Sequence, residues 1–230
     1  MTTGRRIGRK KIQFSPLTLV VYAFLTFMFL VTLLPFIHMI AVSFSKDVYV
    51  LRGQVGIIPK GFTVKMYEYV FEDKRLFRSY GNTILYTVTG TTLSLCITSM
   101  GAYALAKGRI VFHKFFSVMI LITMFFGGGM IPTFLTVRNY GILNSIWSVI
   151  LSGAVSTWNF IITRSFFDAF PSEVEESGKI DGLNDMGIFF RLVLPLSKAV
   201  LATIGLYYAV GIWNAYFTPF IYLTSPDKFP

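Results

Sequence analysis

The amino-acid sequence predicts an all-α, polytopic membrane protein. Three observations lead there. Five long stretches contain no charged residue. Hydrophobic residues make up 54% of the chain and charged residues only 14%, against about 25% charged in a typical soluble domain. The basic residues gather between the uncharged stretches. In 230 residues there is too little chain to wrap five such segments in a soluble core. The single Cys permits no intrachain disulfide, and two His cannot build a histidine-rich metal site.

The first uncharged run is Ile12–Ser45. About 20 residues of helix cross the hydrocarbon core, and this run exceeds that. It is apolar all round, too long for a secretory signal peptide, and followed by four more. Pro35 predicts a kink in it. His38 reads as a satisfied packing residue near its outer end. The next segment, Lys46 to Arg78, mixes charges with Phe62, Tyr67, Tyr69 and Phe71, which predicts a short interfacial helix. Run two, Ser79–Ala106, is also long enough to cross and carries Thr, Ser and Gly. Such residues suit helices that pack closely or line a polar path. Cys96 within it reads as a small buried apolar residue.

Run three is Phe115–Val137. Its Gly127, Gly128 and Gly129 predict a broken or closely packed helix, or a boundary turn before Pro132. Run four is Asn139–Thr163, and run five is Ala199–Pro226. Both are softened by Ser, Thr, Asn and Gly. Each holds a Trp-Asn pair, Trp158-Asn159 and Trp213-Asn214. Aromatic rings beside amides can stack on sugar faces and bond their hydroxyls. A Trp at a membrane boundary is also a common interface anchor.

Charge placement sets the expected topology. Arg5, Arg6, Arg9, Lys10 and Lys11 form a basic arm over residues 1–14, which the positive-inside rule puts in the cytoplasm. Five spans then alternate. Residues 46–78, the turn around Arg138 and the last residues fall outside. The Lys107–Lys114 loop and the Arg164–Lys198 loop fall inside. The net charge of +10 is thus read as membrane topology and lipid-headgroup contact, with no nucleic-acid partner. No acidic residue lies in any run, which counts against the proton or ion site of a secondary transporter. A non-transporting membrane scaffold is the other alternative, and co-purification of an ATPase would separate it.

The loop at 164–198 is the least generic segment. Pro171 can start a helix that Ser172 to Ile180 continue. Asp181-Gly182 is a turn signal. Asn184 or Asp185 can cap a second helix, with Met186, Phe189, Phe190 and Val193 on its apolar face. Pro195 marks a break before the fifth span. The segment reads as helix, sharp turn, helix. Apolar knobs beside carboxylates suit docking into a groove on another protein; an ordinary interfacial helix with solvated charges is the plainer alternative. Glu173, Glu175 and Glu176 read as solvated, with no His or Cys nearby to make an acid/base pair.

Glu176-Ser177-Gly178, then Gly182, then Leu194-Pro195 resembles the Glu-Ala-Ala…Gly…Leu-Pro signature of ABC importer membrane subunits. The fuller string from Pro171-Ser172-Glu173 through Lys179-Ile180-Asp181-Gly182 to Phe189, Val193 and Leu196 is similar to carbohydrate-uptake permeases, and among them to the MalG-like subunit. The segments Phe125 to Gly129, Ile131-Pro132-Thr133, Tyr140 to Asn144, Gly153 to Ser156 and Trp213-Asn214 resemble the subgroup handling complex or acidic oligosaccharides. The likeness runs from about Ser15 to the end, so residues 15–230 are expected to be one permease transmembrane domain of the type I ABC importer kind.

The resemblance implies a bacterial inner-membrane subunit that is not itself an enzyme. It implies a homologous partner permease, two cytoplasmic ATPase subunits that bind ATP and Mg, and an external solute-binding protein. This chain would bind no cofactor. Glu176, Ser177, Gly178, Lys179, Asp181, Gly182, Leu194 and Pro195 would form or flank the surface coupled to the ATPase. Trp158, Asn159, Trp213 and Asn214 would line the substrate path. Departures from the pattern are Ser177 and Gly178 for Ala-Ala, Leu183 where Ala often follows the Gly, and Ala199 where many members have Pro. Five spans are visible, and the family pattern implies a sixth beyond Pro230.

Overall fold

The computed structural model describes residues 16–108 and 111–230. The basic arm at 1–14 lies outside the described residues, as does Arg109 in the 107–114 loop. The described regular elements are helical. They belong to two compact units, one up to Asp73 and one from Lys74 to Pro230.

In the first unit, α1 (Pro16–Ser43) continues through Pro35 and buries only Ala41. The following segment folds back on the Ser43 end of α1. It holds two short helices where the sequence predicts one, α2 (Asp47–Leu51) and α3 (Lys65–Glu72). Ser45 Oγ donates to Ala41 O at 2.6 Å and accepts from Lys60 N–H at 3.0 Å. Phe44 stacks on Phe62 and Tyr67, with ring centroids 5.5 and 5.1 Å apart. His38 is exposed. Its Nδ1 sits 2.9 Å from the Gly56 carbonyl. A carbonyl can only accept, so Nδ1 carries the proton.

The second unit is built on α4 (Lys74–Ala106), a helix of 33 residues that rises about 50 Å. The later uncharged runs are each interrupted. Run three forms α5 (His113–Phe125) and α6 (Met130–Asn139). Gly129 at φ +80° starts α6, and no atom lies within 4 Å of a Cβ built on Gly127 or Gly129. Those glycines therefore serve the break and not close packing. Run four forms α7 (Ile146–Ser152) and α8 (Thr157–Asp168), bent by 55°. After α9 (Ser172–Ile180) come α10 (Asp185–Leu196) and α11 (Lys198–Trp213), bent by 83°. A short α12 (Phe217–Tyr222) and a 3-10 turn at Pro226–Lys228 complete the unit. By length and composition α1 and α4 can each cross a membrane alone, and each bent pair passes when taken together.

Helix α4 packs on α7, α8 and α11. Close approach is possible because a Cβ on Gly90 would stand 2.8 Å from Ile212 Cδ1, and one on Gly101 would stand 3.0 Å from the Phe160 ring. Cys96 is exposed, contrary to the expectation that it is buried. It lies beside exposed Ile97 and Thr92, away from the face carrying buried Ser94 and Thr98.

Within the second unit, the Asn144 turn and the 224–229 segment lie at one end of α4 and the 164–198 segment at the other. At its Lys74 end, Arg78 pairs with Asp227, Asn82 Nδ2 donates to Asp227 O and Phe229 O at 2.8 and 2.9 Å, and Tyr86 OH donates to Lys228 O at 2.7 Å. Asn144, at φ +54°, joins the same end, its Oδ1 accepting from Thr224 and Ser225 N–H at 3.2 and 3.1 Å. At its Ala106 end, α4 meets the 164–198 segment through a cluster of Ala102, Tyr103, Leu105, Phe160, Phe167, Ile188, Phe189 and Val193.

Candidate functional site

Two places concentrate the candidate residues: the helical hairpin at 171–196 and a cleft half way along α4.

The hairpin forms for local reasons. Helix α9 ends in a Schellman cap. Leu183 N–H donates to Gly178 O at 2.9 Å and Gly182 N–H to Lys179 O at 3.0 Å. That cap needs a left-handed residue, and Gly182 sits at φ +78°. Asn184 Oδ1 accepts from Gly187 N–H at 2.7 Å and so caps α10. A π turn, Phe189–Val193, runs directly into Leu194-Pro195, where the ring supplies no N–H to the ladder. Ser197 ends this helix, and the chain turns into α11.

The expected apolar face of α10 divides. Phe189 and Val193 are buried, joined by Ile188, which lies outside the predicted set; Met186 and Phe190 are more than half exposed. Phe189 packs on Tyr103 with ring centroids 5.0 Å apart. Gly178 is buried against α10, where an added Cβ would lie 2.7 Å from Leu192 Cδ1 and 3.0 Å from Ile188 Cγ1. The glycine costs about 1 kcal/mol of helix propensity relative to Ala, and in return the two helices approach. Ser177 Oγ donates back to Val174 O at 2.9 Å. Glu176, Lys179, Ile180, Asp181 and Gly182 are exposed around the turn, and so is Pro195, while Leu194 is half-buried.

Glu175 corrects the expectation of three solvated carboxylates. Glu173 and Glu176 are exposed, but Glu175 is 5% exposed and its Oε1 lies 2.9 Å from Lys107 Nζ. Its burial follows from helix phase. It lies one helical turn ahead of Gly178 on the buried face of α9.

The cleft, of 550 Å³, lies where the α7–α8 bend faces α11. Ser152, Ser156, Trp158, Asn159, Tyr207 and Tyr208 are among its walls. Tyr208 is 5% exposed, its OH 2.7 Å from Thr98 Oγ1 and accepting from Ser156 N–H at 3.0 Å. Ser156 Oγ in turn accepts from Asn159 N–H at 3.4 Å and caps α8. Trp158 therefore stands level with the interior of α4, not at its end. Among the described residues, no charged side chain lines this cleft. Trp213 and Asn214 do not share it. They line a second cleft, of 390 Å³, with Thr83 and Phe229 nearer the Lys74 end of α4. Asn214 Nδ2 donates to Val210 O at 2.8 Å, so part of its amide caps its own helix. Tyr207 and Tyr208 are not candidates on sequence; two phenols inside an otherwise apolar run are the available signal.

Residues 115–227 match the family described as binding-protein-dependent transport system inner membrane component. The polygalacturonan/rhamnogalacturonan transport system permease protein YtcP of Bacillus subtilis (strain 168) is 42% identical over 212 residues, covering 92% of this chain and 74% of the relative. The chain belongs to this family. Protein LplC of the same organism is also 42% identical, over 87% of the permease and 68% of its own length. A crystal structure of a bacterial ABC transporter involved in the import of the acidic polysaccharide alginate contains a chain that superposes with a TM-score of 0.89 at 36% identity. That match covers 93% of the permease and 76% of the solved chain. The permease thus has the ABC importer transmembrane fold expected from its hairpin motif. The family match spans the hairpin and the central cleft, while α4 lies ahead of it and the second cleft also takes Thr83 and Phe229 from outside it.

Proposed function

We propose that the chain is the permease subunit of an ATP-driven sugar or oligosaccharide importer in a bacterial plasma membrane, with its N-terminus in the cytoplasm. It forms the translocation path with a homologous permease. Two cytoplasmic ATPase subunits bind ATP and Mg, and one of them docks on the 171–196 hairpin. An external solute-binding protein delivers the cargo.

The observation that carries this reading is the division of the hairpin into two faces. Gly178 closes its two helices together and Ile188, Phe189 and Val193 hold it against the permease, leaving Glu176, Lys179, Ile180 and Asp181 outward around the Gly182 turn. A rigid, mixed-charge knob with an 87% exposed Ile180 at its tip suits a groove on a soluble partner. Replacing Glu176 and Gly182 by Ala in the assembled transporter is expected to lower coupled uptake by about 10-fold, or to release the ATPase subunits, without altering membrane insertion. Normal coupled uptake would sink the proposal.

For the cargo, Trp158 offers a ring face, while Asn159, Ser152 and Tyr207 offer hydroxyl and amide groups in the central cleft. That lining suits sugar rings and their hydroxyls. The names of the relatives point to acidic oligosaccharides; with no basic wall residue here, their carboxylates would be read by the partner permease or the binding protein. Uptake assays with neutral and acidic oligosaccharides, on the parent and on Trp158→Ala, test this. No transport of any saccharide would overturn it.

A further inference from the structure

The hairpin's buried charge is not on the docking surface. Glu175 Oε1 and Lys107 Nζ are 2.9 Å apart, with side chains 6% and 14% exposed. Lys107 directly follows the last residue of α4, and its N–H still donates to Tyr103 O at 3.2 Å, extending the helical ladder. Its ammonium also donates to Phe170 O at 3.4 Å and lies 5.9 Å from the centroid of the Phe170 ring. One cation thus ties the end of α4 to the residue leading into α9 and to α9 itself.

Burying two charges is a poor way to gain stability, since an apolar pair of similar size often holds as well. What an ion pair adds is direction and a fixed separation. The covalent routes out of the hairpin are less stiff. Toward the C-terminus it meets the 83° bend into α11, and toward the N-terminus it joins α8 through Ala169 to Pro171. From Lys107, in contrast, unbroken helix leads to Thr98, whose hydroxyl meets Tyr208 at the central cleft.

We infer that the Lys107–Glu175 pair is the polar link that, beside the apolar packing of Phe189 on Tyr103, passes displacement of the hairpin to α4, and through Thr98 and Tyr208 to the cleft. Both are positioning residues that touch neither ATPase nor cargo. The inference rests on the proposed docking role of the hairpin.

The test uses the intact transporter, purified through a tag on this chain and reconstituted in lipid vesicles with its binding protein. Lys107→Met and Glu175→Gln each remove one charge of the pair and keep the other, so the deciding variant is the neutral pair Lys107→Met with Glu175→Met. That variant is expected to retain the ATPase subunits and basal ATP hydrolysis. Stimulation by cargo-loaded binding protein should fall about 10-fold, while Lys107→Arg keeps it. The exchange Lys107→Glu with Glu175→Lys is the second arm and is expected to recover stimulation that Lys107→Glu alone loses. Parental stimulation in the neutral pair overturns the inference. So does a folded exchange variant that recovers nothing. ATPase subunits missing from the parent complex would overturn the docking reading instead.

Discussion

Helices α1 and α4 are the two single helices long and apolar enough to span a bilayer among the described residues, and they achieve it in opposite ways. The most apolar window of α1 has a mean hydropathy of 2.5 and none of it is buried within the chain; for α4 the values are 1.2 and 28%. Helix α1 has Phe, Leu and Val on every side. Helix α4 substitutes Gly90, Ser94, Thr98 and Gly101 along one face, losing transfer energy and gaining close neighbours. Small residues let helices approach where lipid removes the hydrophobic drive to associate. The contrast teaches that the weaker membrane helix is the one the permease is organised around.

The largest expected effect attacks that face directly. Gly90→Leu forces a side chain into Ile212 and Ile150. Overpacking of this kind should cost about 3 kcal/mol. Its thermal midpoint in detergent should drop sharply, and an unchanged midpoint would break the contrast. Tyr208→Phe strands the Ser156 N–H and the Thr98 hydroxyl. That loss should cost about 2 kcal/mol, and faster hydrogen exchange at Ser156 checks it. Gly182→Ala puts an L-residue in the left-handed region that Gly182 occupies. The strain should cost about 1.5 kcal/mol, and limited proteolysis at the hairpin turn reads it out. Asn184→Ala removes the cap of α10. Its cost should be about 1 kcal/mol, seen as faster exchange at Gly187. At the other end of the scale, Phe27 is exposed along the chain's surface in α1, and Phe27→Ala should stay within about 0.5 kcal/mol. A larger loss would show that α1 depends on contacts after all.

What could be read from sequence divides along the same line. The hairpin was legible almost residue by residue, because Pro171, Asp181-Gly182 and Asn184 act on their own neighbours. At Gly127–Gly129 the sequence leaves a break, close packing and a boundary turn all open, and φ +80° at Gly129 decides for the break. The burial of Glu175 was not legible, because the face of α9 that turns inward is set by packing on α10, and the Lys107 cation that meets it comes from a different loop. Nor was the exposure of Met186 and Phe190. Periodicity marks an apolar face, but only the packing of Ile188, Phe189 and Val193 on Tyr103 and Phe167 decides which part of it turns inward. The bends at Gly153–Ser156 and Ser197 fall inside or beside uncharged runs that length alone reads as single spans. Tyr208 anchors the first of them from a run that follows much later. In the central cleft, residue type singles out Trp158 and Asn159, while the hold of Tyr208 on neighbouring Ser156 shows only in three dimensions.

The uninterrupted helices also come first in the chain. Helices α1 and α4 precede every broken segment, so synthesis delivers the two helices that can cross a bilayer singly before those that pass only as bent pairs. The bent pairs carry carbonyls and amides at their joints that the helical ladder leaves over, groups that hydrocarbon cannot satisfy. By the time Ser156 leaves the ribosome, α4 is already available with Thr98, and Tyr208 arrives afterwards to close the triad. The order of the sequence is thus an order of assembly: a mast is raised first, and the jointed helices are hung on it as they emerge.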